Sequence, residues 1–140
     1  YQAYVRNTSS PTTLGAPFPA SAADVAALAA SGSFRGEIAH TEWTDSPCHQ
    51  SGVNFVLTPN TKVPFDTGGV TYDIDVLTQV EGSHASKPSY GAITSRSYHT
   101  AGVNAMLMDG SVRFVSNNIS VTTWRALGSR SGGEVLGSDF

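Results

Sequence analysis

The strongest constraint on this chain lies in residues 103–115, where two apolar runs, 103–108 and 112–115, flank the dipeptide Asp109-Gly110. Asp-Gly favours the tight turn of a two-stranded hairpin. Glycine accepts left-handed backbone angles without a Cβ clash, and aspartate tolerates them better than most residues. In the second run Val112 and Phe114 point one way, and Ser111, Arg113 and Val115 the other. The first run alternates less cleanly, as expected of a strand covered on both faces. Asp109 is then a turn residue whose carboxylate accepts backbone N–H bonds.

The rest of the composition bounds what such a hairpin can belong to. At 140 residues the chain holds one domain with a real core. Only 14% of residues are charged, against a usual share of roughly 25%. Ser, Thr, Asn and 14 glycines take their place, which suits an extracellular or assembled protein. The net charge is −3 and no basic run or basic–aromatic stripe occurs, which excludes nucleic acid as a partner. Cys48 is the only cysteine, so an intrachain disulfide and a cysteine-rich zinc site are both excluded. No stretch reads as a signal peptide or a membrane span. The sequence begins at Tyr1 without methionine, which predicts a processed product or a fragment.

In chain order, Tyr1, Ala3 and Val5 at two-residue spacing predict a short edge strand or loose arm, followed by a Ser/Thr/Pro/Gly-rich loop. Ser21, Asp24, an alanine-rich run and Gly32 predict a helix over 22–30. Strands are expected over 36–41, 53–58 and 72–77, and residues 90–95 lead toward His99 and the hairpin. Pro64 confines 62–70 to a loop or an edge, and 81–88 is a polar loop. Val121, Trp124 and Leu127 at three-residue spacing, with Gly128 as a stop, predict a final helix. Residues 131–137 add a short edge strand. The fold class is α+β, a mainly antiparallel sheet with the Asp-Gly hairpin and one or two short helices. Residues 1–33 form an N-terminal arm and helix, residues 34–140 a β-rich domain, and together they make one globular unit.

Chemistry is sparsely signalled. His40, His49, His84 and His99 show no ligand spacing, and hydrogen bonding at loops or sheet edges is the plainer role for His40 and His99. Asp73 and Asp75 share one face of a strand; they are a solvated pair or, with Asp109, weak calcium ligands. Cys48-His49 lacks a facing base, and Ser97-Tyr98-His99 lacks a nucleophile elbow and a third member. His99 and Asp109 are ten positions apart. Along one continuous strand at about 3.3 Å per residue they would stand roughly 30 Å apart, too far for one catalytic centre. Trp124 is expected to anchor the last helix, while Trp43, with His49 and Tyr98, marks a candidate interaction surface.

The segment from Thr94 through His99 to Asp109-Gly110 and Val115 resembles the H-x9-D-G motif of planctomycete proteins called DUF1559. These are also described as a solute-binding family and as prepilin-type processing-associated proteins. Two further blocks agree: Trp43 with His49 through Thr61, and Trp124 through Gly128 with Gly132-Gly133-Glu134. The resemblance spans roughly residues 34–137 and marks His99, Asp109, Gly110, Trp124 and Gly128 as structural motif positions. It implies a pilin-like or pseudopilin-like domain, secreted or tethered to the cell surface, with this chain its C-terminal part. The expected function is that of a non-enzymatic subunit associating with itself, with other pilin-like subunits or with the N-terminal half of its own precursor. The alternative is an extracellular binding module for a solute, glycan or divalent cation. No cofactor is implied beyond calcium.

Overall fold

A computed structural model of the chain describes residues 2–7, 17–36, 39–41, 44, 48–78 and 90–140. Over these residues the fold is α+β. A five-stranded sheet contains β1 (Gln2–Arg6), β2 (Ser33–Gly36), β3 (Pro64–Thr67), β4 (Val70–Leu77) and β5 (Gly91–Ala92). The hairpin of β6 (Gly102–Met106) and β7 (Val112–Ser116) forms a separate two-stranded sheet. Three helices complete the described parts: α1 (Ala22–Ala29), the single turn α2 (Cys48–Ser51) and α3 (Val121–Leu127).

The strand order β2-β1-β4-β3 puts β1 inside the sheet. It pairs antiparallel with β2 and parallel with β4, Tyr4 opposite Asp75 and Val5 opposite Val76. This corrects the expectation of an edge strand or loose arm. Ala3 and Val5 are buried on one face and Tyr4 on the other, a two-sided burial that so short an alternation does not reveal. On the first face α1 covers Val5, Ile74 and Val76 with Val25 and Ala29. Its start is held by a capping box: Ser21 Oγ accepts from the Asp24 amide at 3.3 Å, and Asp24 Oδ2 accepts from the Ser21 amide at 2.9 Å. On the opposite face Tyr4 and Leu77 pack with Ala39, and the His49 ring lies 4.5 Å from that of Tyr4.

Pro64 opens the edge strand β3, where its missing N–H costs nothing. Gly68 and Gly69, both at positive φ, make the two-residue turn into β4. Several expected strands are displaced or absent. The strand placed over 36–41 lies at Ser33–Gly36, and residues 37–38 are outside the described ones. The segment 53–58 is irregular. The Asn54 side chain takes over the pairing a ladder would supply, donating to Gly91 O at 2.9 Å and accepting from the Ile93 amide at 3.2 Å. Residues Gly91–Ala92, for which no strand was expected, pair antiparallel against the end of β4.

A second core holds the hairpin. Val103, Val115, Ile119 and Trp124 are buried together, with Phe55, Leu127 and Phe140 packed around them. The hairpin closes through a four-residue turn in which the Gly110 amide donates to Leu107 O, and only Gly110, at φ 83°, is left-handed. Asp109 serves instead as an acceptor, for the Ser111 amide at 2.9 Å and the Ser111 hydroxyl at 2.7 Å. These bonds hold its carboxyl below the usual aspartate value. The first strand is not covered on both faces, as the sequence suggested: Asn104, Met106, Val112 and Phe114 share an open side. The tail over 131–137 forms no strand. Its end folds back so that Asp139 accepts from the Ser120 amide at 2.6 Å and the Thr123 hydroxyl at 2.7 Å, clipping the start of α3.

Candidate functional site

The face of β4 opposite α1 carries Asp73, Asp75 and Leu77 at two-residue spacing. The two carboxylates are not a solvated pair; Asp75 is 1% exposed. Arg96 clamps both. Its Nε donates to Asp73 Oδ2 at 2.9 Å, Nη2 to Asp73 Oδ1 at 3.1 Å and to Ile74 O at 3.2 Å. Its Nη1 donates to Asp75 Oδ1 at 2.6 Å and Thr94 O at 3.3 Å. All five N–H groups are thereby satisfied. Burial by itself lowers the Arg96 pKa, and the hydrogen bonds and charges of Asp73 and Asp75 outweigh it, so the net shift is upward.

Asp75 also accepts from the Thr94 amide at 3.0 Å, and His40 Nε2 lies 3.1 Å from its second oxygen. Asp73 takes the Val63 amide at 2.8 Å. The guanidinium stands where a bound cation would, and this corrects the calcium reading of Asp73 and Asp75. Asp109 is at the hairpin tip and shares no contact with them. Among the described residues no group of three or more His, Cys, Asp and Glu side chains is arranged to hold a metal.

Beyond Leu77, between the two cores, lies a cavity of about 500 Å³. Its wall is mostly apolar: Phe18, Phe55, Val56, Leu77, Tyr90 and Ile93. Polar groups are few, namely Cys48, Asn54, Ser129 and the guanidinium of Arg125. Arg125 Nη2 donates to Val56 O at 2.9 Å and Pro19 O at 3.1 Å, and its charge sits 5.9 Å from the centre of the Phe18 ring. Tyr90 donates its hydroxyl to Pro17 O at 2.6 Å. Burial, and then the negative charge of Asp24, push that phenol above its ordinary 10.0.

The sequence-predicted positions scatter. His99 is exposed, and its backbone amide donates at 3.0 Å to the Oγ of Ser97, two residues before it. The strand does not run unbroken from His99; it starts at Gly102, after Ala101 in a left-handed conformation. Tyr98 stands fully in solvent while His49 packs on Tyr4, and Trp43 and His84 lie outside the described residues. Trp124 is buried against Phe55 at 4.5 Å. Gly128 ends α3 with right-handed angles, so the glycine is required there for space: a Cβ would run into the Phe55 ring.

Arg96 and Arg125 went unassigned in the sequence. The usable signal for Arg96 was an Asp-x-Asp pair on a strand otherwise apolar enough to be buried, which demands a cation. Arg125 sits on the helix face beside Trp124 and carries no such pattern.

A family model described as "Protein of unknown function (DUF1559)", SBP_bac_10, matches residues 41–122. No curated protein and no solved structure matches the chain.

Proposed function

The chain belongs to the DUF1559 (SBP_bac_10) family, and from that premise we propose that it is a non-enzymatic, extracellular binding module for a small solute. What carries this is the cavity. At about 500 Å³ it falls within the range of small-molecule sites, with an apolar wall and a small number of fixed polar groups. Neutral polar groups in place of charge, together with the family resemblance, support an extracellular location. An NMR-monitored fragment screen tests the reading. Binders should move the amide signals of Asn54, Gly91, Ile93 and Ser129. A broad library that moves none of them sinks it.

A second reading, a subunit of a pilin-like assembly, is favoured by a different observation. The open side of the hairpin presents Met106 at 77% and Phe114 at 55% exposure beside Val112, an apolar stripe whose two strand edges pair with no other strand among the described residues. Self-association through this side predicts that Val112→Thr with Phe114→Thr lowers the sedimentation-derived association constant at least tenfold. Far-UV circular dichroism should stay unchanged. A wild-type chain that is monomeric at millimolar concentration overturns it. Among the described residues no helix is long and apolar enough to cross a membrane.

A further inference from the structure

Two half-buried arginines, Arg96 and Arg125, are treated very differently. Arg96 has two carboxylates and no spare N–H. Arg125 has only the carbonyls of Pro19 and Val56, and among the described residues no carboxylate comes within ion-pair distance. Its Nε is buried without a hydrogen-bond partner. A guanidinium partly withdrawn from water, with a buried N–H that nothing accepts, is left with pairing capacity that an anion can use. This charge sits in the wall of an apolar cavity.

We infer that the cavity takes a compact apolar molecule bearing a single carboxylate, its head held by the Arg125 guanidinium and its body among Phe18, Phe55, Leu77 and Ile93. This rests on the cavity being the binding site. Among the described residues of the wall Arg125 is the only charged one, so one negative charge is matched there and a second would go unpaired. The other polar groups are already engaged. The Asn54 amide bonds to Gly91 and Ile93, and Ser129 Oγ accepts from the Gly132 amide at 2.7 Å. A glycan, which needs many open donors and acceptors, has little to pair with here. The carbonyls on Nη2 fix the guanidinium plane in advance, so little ordering remains when the ligand arrives.

The test compares 2-naphthoate with its neutral analogue 2-naphthamide by NMR titration of the whole chain. Naphthoate should shift the amides of Asn54, Gly91, Ile93 and Ser129 with a Kd about ten-fold or more below that of naphthamide, as a charge-assisted contact implies. Arg125→Gln should raise the naphthoate Kd to the naphthamide value and leave naphthamide unchanged. The ratio of the two affinities in the unaltered chain carries the test should that variant not fold. Equal affinities for the two compounds overturn the carboxylate assignment while leaving the cavity as a binding site. If neither compound moves those amides, the binding-module reading fails and the inference falls with it. Shifts confined to Met106, Val112 and Phe114 mean adsorption to the hairpin, and overturn the inference too.

Discussion

At the scale of single residues, the molecule depends on a side chain that joins elements far apart in sequence. Arg96 reaches back 21 and 23 residues to Asp75 and Asp73, and removing it leaves two carboxylates, one fully buried, without their cation. Breaking a buried ion pair on one side typically costs about 3–5 kcal/mol. Arg96→Met should therefore lower stability by roughly that amount, seen as a fall in the urea midpoint. Arg96→Lys should recover only part of it, because an ammonium cannot span both carboxylates as the planar fork does. The Asp-x-Asp pair was visible in the sequence, but not whether it met water or a guanidinium. That depended on where the chain after β5 was laid.

At the scale of elements, the last helix shows how a glycine and a tail set its position. Gly128 lies against the Phe55 ring, which in turn packs on Trp124. Gly128→Ala must push that ring aside, and overpacking of this kind costs about 1–3 kcal/mol. A lower Tm with a shifted Trp124 emission maximum is the expected result. At the other end of α3, Asp139 has its carboxyl held below the ordinary 3.8, first by the Ser120 amide and then by the Thr123 hydroxyl. A lowered carboxyl pKa contributes stability that is complete above the unfolded value and is lost as pH falls through the folded one. The Ser120 amide resonance should thus titrate with a midpoint below 3.8, and Asp139→Asn should abolish that step. A midpoint at or above 3.8 would show that the clip does not form.

At the scale of the whole molecule, two cores must be held together, and Asn60 does much of this. Its left-handed backbone lets the side chain accept from the Ser97 amide at 2.7 Å while donating to Asn117 at 2.8 Å and Gly102 O at 3.4 Å. Asn60→Ala gives up these bonds and places alanine in an unfavourable conformation, a loss of roughly 2–4 kcal/mol. Hydrogen exchange should quicken first in β6 and β7 if the hairpin is what Asn60 secures. Uniform quickening across β1, β4 and the hairpin would refute that. The Asp-Gly turn, the Ser21 cap, the edge role of Pro64 and the last helix were all legible in the sequence. Each rests on backbone angles and hydrogen bonds within a few residues of itself. The central place of β1, the burial of Asp75 and the cavity around Arg125 were decided only by the tertiary structure. Each depends on which distant segment supplies the second face, the counter-charge or the opposite wall, and local periodicity carries no record of that choice.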